Sequence, residues 1–171
     1  MPEVQDIDLH AFLEKTIALV EYEMRGETIE IVRQFEERPM QIKGDPDQLA
    51  QVFLNMIGNA RDSINEKKNK YGYEKLEKMG WKGRLLVQTK AEDGWVEISF
   101  RDTGMGMAPE AVNKVFDPFF TTKGEEGTGL GMAIAFGIIG NHDGSMDVRS
   151  EAGEWAEFVI KLPVSKKGVF S

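Results

Sequence analysis

The chain has 171 residues, a length typical of one domain, which leaves no room for a second catalytic domain. It contains no cysteine, which excludes disulfides, zinc clusters, iron–sulfur ligation and thiol nucleophiles and slightly favours a cytoplasmic location. Its net charge of −8 argues against a general affinity for nucleic acid. The longest apolar run, 131–140, is about half of the ~20 residues that a membrane helix needs, so we expect no membrane contact from this chain.

Charge is distributed unevenly along the sequence. Residues 61–90 hold nine Lys or Arg against four acids, so a basic stretch lies within an acidic chain. Such a stretch is either a solvated surface or an attraction for something anionic nearby.

The first 50 residues predict a helix, a strand and the start of a second helix. Apolar residues recur at helical spacing over 8–25, and β-branched residues dominate 28–35. Asp45-Pro46-Asp47-Gln48 then supplies an N-cap, a proline at the first helical position and a capping-box glutamine.

The second helix is predicted to run to about residue 65. Its exposed face is unusual, because Gln51, Asn55, Asn59 and Asp62 replace the usual Lys and Glu. The polar, basic stretch 66–83 that follows is too long for a simple turn, and we interpret it as an insertion.

The remaining elements complete a sheet and its helical cover. Alternating residues predict a hairpin of 84–90 with 95–101, a short helix over 109–116, a loop over 117–127, a long apolar helix over 128–141 and a final hairpin of 145–150 with 155–162. Because helices and strands are grouped, we expect one α+β domain spanning 1–171, in which helices cover one face of a mixed, mostly antiparallel sheet.

Two segments combine glycine with groups that could bind a ligand. Asp102-x-Gly104-x-Gly106 places a carboxylate above bare backbone at the end of a strand, although it could also be a turn with a capping Asp. The glycine-rich run 121–131 leads into a helix, where free amides and the helix dipole favour phosphate. It is not a Walker A loop, because no Gly-Lys-Ser/Thr ends it.

Taken together, these pieces carry a specific resemblance. Asn55-x-x-x-Asn59, Asp102-x-Gly104-x-Gly106, the run Phe116 to Lys123 and Gly127-Thr128-Gly129-Leu130-Gly131 stand in the order of the N, G1, F and G2 boxes. Over roughly residues 6–163 the chain closely resembles the ATP-binding domain of bacterial sensor histidine kinases, in particular their nitrogen-regulation group. The resemblance implies the two-layer α/β Bergerat sandwich of the GHKL superfamily and the cofactors ATP and Mg²⁺.

The resemblance also assigns roles to residues. Asp102 would accept a hydrogen bond from the adenine amino group, Gly104 and Gly106 would leave room for the base, and Asn59 would offer its amide oxygen to Mg²⁺. Asp62 stands where many sensor kinases carry Lys, and we expect it to act on the magnesium waters or on the adenine side. The resemblance further places around the nucleotide Met107, Thr122, Lys123, Gly127, Thr128, Gly129, Leu130 and Gly131, with Lys123 balancing phosphate charge.

Asn55 is informative within the superfamily. By the same resemblance, the hydrolytic branches of the superfamily carry at this position a glutamate that takes a proton from the attacking water. An amide such as that of Asn55 cannot accept this proton. We therefore expect slow ATP hydrolysis and presentation of the γ-phosphate to a separate nucleophile, with Asn55 and Lys123 as catalytic residues. A purely structural role for Asn55 in helix packing is the alternative.

The partners follow from what the sequence lacks. Neither His10 nor His142 resembles a phosphoacceptor, and we expect both at the surface. The resemblance then implies a histidine-containing dimerisation domain, in a longer chain or in trans, and a downstream response regulator in a two-component system. The alternatives are a protein serine kinase of the anti-sigma-factor type and a non-catalytic module gated by nucleotide.

Overall fold

The structure, a computed structural model, describes residues 3–120 and 130–165. In chain order its elements are β1 (Gln5–Asp8), α1 (Leu9–Gly26), β2 (Ile29–Gln34), β3 (Gln41–Gly44), α2 (Pro46–Tyr71), α3 (Tyr73–Lys78), β4 (Gly83–Glu92), β5 (Trp95–Asp102), α4 (Pro109–Val112), α5 (Gly131–Asn141), β6 (Ser145–Glu151) and β7 (Trp155–Pro163).

The main sheet has five strands in the order β2-β4-β5-β7-β6. Only the β2–β4 pair among these neighbours is parallel, and the other three pairs are antiparallel. Helices α1, α2 and α5 pack beside this sheet, and β1 pairs with β3 in a small second sheet. The expected mixed, mostly antiparallel sheet covered by helices is confirmed.

Both long helices begin at an aspartate. Asp8 Oδ1 accepts from the Ala11 amide at 3.2 Å, and Asp45 Oδ1 accepts from the Gln48 amide at 3.1 Å, with Pro46 at the first helical position. Each side chain satisfies an amide that the helix itself leaves without a partner. The helix start predicted from Asp45 to Gln48 is confirmed, except that the Asp45 amide donates to His142 Nε2 and not to the predicted capping-box glutamine.

The end of α2 differs from the prediction. The helix continues through 66–71 and ends only at Gly72, and α3 then occupies 73–78. The polar composition of 66–71 suggested an interruption, but no glycine or proline lies between Gly58 and Gly72 to break the helix. The segment that we interpret as an insertion is therefore largely helical.

One further predicted element is shorter than expected, and two strands were missed. Helix α4 covers only 109–112 of the predicted 109–116. Of the helix predicted over 128–141, α5 covers Gly131–Asn141, and residues 128 and 129 lie outside the described residues. Strands β1 and β3 have four residues each, too few for an alternating pattern to stand out. Both predicted hairpins are confirmed in strand pairing and turn position.

The two histidines are structural, contrary to the expected surface positions. His10 stacks on Phe35 with ring centroids 5.0 Å apart, and its Nε2 lies 2.8 Å from Thr89 Oγ1. His142 Nε2 accepts from the Asp45 amide at 3.1 Å. Both rings are half-buried because they join elements that are distant in sequence.

Part of the basic stretch also has internal partners. Arg61 Nη2 lies 2.5 Å from Glu27 Oε2, and Lys68 Nζ donates to the Glu27 carbonyl and to Thr28 Oγ1. The Arg61 hydrogen bond lowers the pKa of Glu27 to about 2. These cations anchor the α1–β2 connection to α2.

The core lies between the helices and the inward face of the sheet. Phe53 of α2 is fully buried, and its ring centroid lies 5.9 Å from those of Phe12 on α1 and Phe100 on β5. No helix in the described ranges combines the length and the apolarity needed to cross a bilayer.

Phe53→Ala should therefore strongly destabilise the domain. Removal of a fully buried phenylalanine costs about 3–5 kcal/mol through lost burial and the cavity left behind. Tyr22→Ala, at a side chain 85% exposed, is the matched control and should change the free energy of unfolding little. Urea denaturation followed by circular dichroism measures both, and a loss below about 1 kcal/mol for Phe53→Ala would contradict the packing described here.

Candidate functional site

Asp102 occupies the last position of the inward face of β5. Val96, Ile98 and Phe100 share its side of the strand, and all three are buried. Asp102 is itself only 2% exposed. A carboxyl group thus stands at the edge of the hydrophobic core where the strand pattern calls for an apolar residue.

Burial controls the ionisation of this carboxyl group. Desolvation raises the pKa of Asp102 to about 7, although the hydrogen bond from the Gly104 amide and the positive charge of Lys67 both lower it. The Gly104 amide lies 2.8 Å from Asp102 Oδ1. A carboxyl group with this pKa titrates near neutral pH, about three pH units above the ordinary range of aspartate.

The glycines after Asp102 let the loop pack closely on its neighbours. A Cβ on Gly104 would lie 2.3 Å from Ser63 Oγ, and one on Gly106 would lie 2.2 Å from the Glu151 carbonyl oxygen. Gly106 also has φ of +63°, which favours glycine. The resemblance assigned both glycines to making room for a base, whereas here the space they leave is filled by α2 and by the 151–155 turn.

Four polar side chains at intervals of four residues on α2 line this region, and we call them the α2 row: Asn55, Asn59, Ser63 and Lys67. Asn55 Nδ2 donates to the Gly131 carbonyl at the start of α5, at 3.1 Å. Ser63 Oγ accepts from the Met105 amide at 2.8 Å. Lys67 Nζ donates to the Gly153 carbonyl at 2.7 Å. One helix face therefore contacts the α5 start, the 103–106 loop and the β6–β7 turn.

Asn59 lies between these contacts on the same row and is half-buried. Within the described residues no group of three His, Asp or Glu side chains could hold a metal ion. One amide oxygen completed by phosphate oxygens and waters is a ligand set that Mg²⁺ accepts, so Asn59 fits the assigned role. Asp62, three residues further along α2, is exposed.

The start of α5 faces the α2 row. Gly131 is the first helical residue, and Leu130 at the N-cap has no side-chain acceptor to offer the first amides. Met107, on the other side, donates its amide to Ser150 Oγ at 2.7 Å and packs against the core. The predicted site residues outside the described ranges are Thr122, Lys123, Gly127, Thr128 and Gly129, whose roles stay predictions.

Sequence reasoning missed Ser63, Lys67 and Trp81. Trp81 Nε1 donates to the Thr103 carbonyl at 2.8 Å, so the end of the 66–83 segment also contacts the loop after Asp102. The four-residue spacing from Asn55 could have revealed Ser63 and Lys67 if the helix had been extended past 65. Trp81 contacts the site through tertiary packing, which no local pattern indicates.

Comparisons with known proteins identify the family of this domain. Residues 44–166 match the family described as histidine kinase-, DNA gyrase B- and HSP90-like ATPase. The chain is 34% identical over 164 residues to the two-component sensor PprA of Pseudomonas aeruginosa, covering 95% of this chain and 17% of PprA. It is 32% identical over 162 residues to the sensor histidine kinase ZraS of Escherichia coli K12, covering 95% of this chain and 31% of ZraS. The chain thus spans less than a third of the length of either relative.

Solved structures show the same fold. Full-length ShkA in complex with AMPPNP superimposes with a TM-score of 0.81 at 27% identity, over 99% of this chain and 33% of ShkA. A nucleotide-free catalytic domain of the histidine kinase ThkA superimposes with a TM-score of 0.77 at 23% identity, over 98% of this chain and 99% of that domain. The chain belongs to the family of histidine kinase-, DNA gyrase B- and HSP90-like ATPases.

Proposed function

We propose that this domain binds ATP with Mg²⁺ and donates the γ-phosphate to a histidine on a dimerisation domain, in the same chain or in trans, with a response regulator as the downstream acceptor. The observation that carries this proposal is the buried Asp102 carboxyl group beside a glycine-containing loop on a fold shared with histidine kinases. Its sensor kinase relatives and the nucleotide analogue bound to ShkA support the same ligand and reaction class.

Asp102 would recognise the adenine base. A carboxylate offers about four lone-pair sites, so the Gly104 bond leaves capacity to accept from an exocyclic amino group. Guanine presents a carbonyl where adenine has this amino group, so it would face the carboxylate with an acceptor. Exclusion of water from the buried carboxyl group strengthens this discrimination.

The phosphates of ATP would lie near the N-terminal half of the α2 row, which contains Asn55 and Asn59. Asn59 would supply an amide oxygen to the metal, whose chemistry when bound is to neutralise phosphate charge. The first amides of α5 would meet the phosphates, and the resemblance adds Lys123 and the glycines of 127–131. Phosphoryl transfer depends mainly on such positioning and charge neutralisation.

Asn55 would limit hydrolysis. Its amide donates to the Gly131 carbonyl, so the side chain links α2 to α5 and cannot act as a general base for water. This contact also supports the structural role considered for Asn55. The γ-phosphate would then persist until a histidine from the partner domain reaches it.

The transfer reaction is tested with radiolabelled ATP. The domain is incubated with Mg-ATP and the dimerisation domain of a sensor histidine kinase such as ZraS, with the acceptor histidine replaced by alanine as control. We expect acid-labile, alkali-stable label that the alanine variant loses. Acid-stable label would indicate a serine kinase, and tight ATP binding without transfer to any partner domain would indicate a nucleotide-gated module.

Asn59→Ala should remove the magnesium-dependent part of ATP affinity and leave the fold intact, because it deletes one oxygen ligand and no large apolar contact. Calorimetry with Mg²⁺ and with EDTA measures this, and Gln51→Ala, at an exposed position on the same helix, is the control. Equal losses of affinity under both conditions would rule out a metal-binding role for Asn59.

The buried carboxyl group should also make stability fall as pH rises. The folded-state pKa of about 7 exceeds the ordinary aspartate value, so the folded state holds more protons between about pH 4 and 7. Asp102 therefore contributes its full stability below about pH 4, and this contribution is lost as pH rises through 7.

Asp102→Asn should abolish this pH dependence while weakening ATP binding. We expect nucleotide-free native protein to lose stability relative to Asp102→Asn between pH 5 and pH 8, measured by urea denaturation at each pH. Asp93→Asn, in the exposed β4–β5 turn, should track the native protein. A constant difference between native and Asp102→Asn would show that Asp102 does not titrate in this range.

A further inference from the structure

Lys67 is an unusual lysine because its side chain is buried. It is 7% exposed, although an amine taken out of water needs compensating contacts. Its Nζ donates to the Gly153 carbonyl at 2.7 Å and lies 5.7 Å from the Trp81 ring centroid. A solvated helix face would not require such contacts, so the position of Lys67 calls for an explanation beyond solubility.

These contacts hold the loop that follows Asp102 from two sides. The Gly153 amide donates to the Met105 carbonyl at 2.5 Å, so Lys67 and Met105 both hydrogen-bond to this one residue of the β6–β7 turn. Trp81, beneath the Lys67 amine, donates to the Thr103 carbonyl. Lys67 thus stands at the centre of a network that fixes the loop at Thr103 and at Met105.

Lys67 also supplies the charge that acts on Asp102. Its positive charge favours the ionised form of that carboxyl group, opposing the effect of burial. The flanking strands present Leu85 and Ala156 opposite Asp102, and neither carries charge. Arg101 and Glu157 neighbour these positions but project from the opposite face of the sheet, where Glu157 pairs with Arg149.

We propose that Lys67 is a positioning residue for base recognition: it favours the ionised form of the Asp102 carboxyl group, which accepts from the adenine amino group, and it holds the β6–β7 turn against the loop. This inference rests on the proposed function, since it concerns the same nucleotide site. It gives the 66–83 segment, in which Lys67 and Trp81 both lie, a role in selecting the nucleotide.

The consequence is a pH-dependent affinity that Lys67 controls. Donation from an amino group favours ionised Asp102, so ATP affinity should rise as pH rises through the titration of this residue. Without the Lys67 charge the titration of Asp102 should move to higher pH, because a nearby positive charge typically lowers the pKa of a carboxyl group by about 1–3 units. Binding at pH 7 should therefore weaken and then recover under alkaline conditions.

The test compares three lysine variants with the native protein. Lys67→Met keeps the aliphatic stem without the charge, and Lys67→Arg keeps the charge. Lys75→Met is the control, because it removes an exposed lysine that lines one surface cavity together with Lys67 and Trp81. Calorimetry from pH 5.5 to 9 gives the affinity for ATP and for purine riboside triphosphate, which lacks the amino group. In parallel, ¹³C NMR of labelled aspartate, assigned with Asp102→Asn, follows the carboxyl group without nucleotide.

We expect Lys67→Met to move the Asp102 midpoint upward by about one pH unit or more. ATP affinity at pH 7 should fall several-fold and that for purine riboside triphosphate should fall less, while Lys67→Arg and Lys75→Met stay near native. A merely structural lysine would weaken both nucleotides equally without moving the midpoint, and that result overturns the inference. Absence of ATP binding by the native protein would instead overturn the proposed function, and the base-recognition role with it.

Discussion

The Asp102 carboxyl group stands at the edge of the core with 2% of its surface exposed, and taking a charged carboxylate out of water costs free energy that nearby groups must offset. The Gly104 amide and Lys67 offset part of that cost, and the pKa of about 7 shows that the offset is incomplete. Much of the surrounding structure can be understood from this residue. The tight loop, the buried lysine and the extension of α2 all bring donors or positive charge towards it.

Under the proposed function, this arrangement lowers stability in exchange for recognition of the base. An apolar residue at the end of β5 would continue the pattern of Val96, Ile98 and Phe100 and would carry no desolvation cost. A site that must distinguish a hydrogen-bond donor from an acceptor needs a desolvated group, because water would satisfy either ligand equally well. The residue that breaks the strand pattern is thus the one best suited to binding.

Most of the fold followed from local signals. The capping sequence at Asp45 and the alternation in β4 and β5 each act over a few residues, so sequence alone indicates them. The four-residue strands β1 and β3 were missed because their pairing, rather than their composition, makes them strands. The end of α2 was placed too early because polar composition was given more weight than the absence of a helix breaker.

The candidate site was only partly predictable for a related reason. Motifs pointed to Asp102, Asn59, Gly104 and Gly106, and the nucleotide-binding roles that the resemblance implies for them stay predictions. A glycine indicates that the backbone lies close to a neighbouring group, but the sequence does not say whether that neighbour is ligand or protein. Here Ser63 lies against Gly104, and Glu151 lies against Gly106. Trp81 and Lys67 act through tertiary contacts between segments, which have no local signature.

The α2 row has a geometric consequence for the site as a whole. Twelve residues separate Asn55 from Lys67, which at 1.5 Å per residue is about 18 Å along the helix axis. That span is comparable with an extended nucleoside triphosphate, so under the proposed function one helix would reach from the base to the phosphates. Because Lys67 contacts Gly153 and Asn55 contacts Gly131, a tilt of this helix would displace both contacts together, in opposite directions. Under the proposed function, binding of the base would therefore be coupled to the start of α5 through α2 itself.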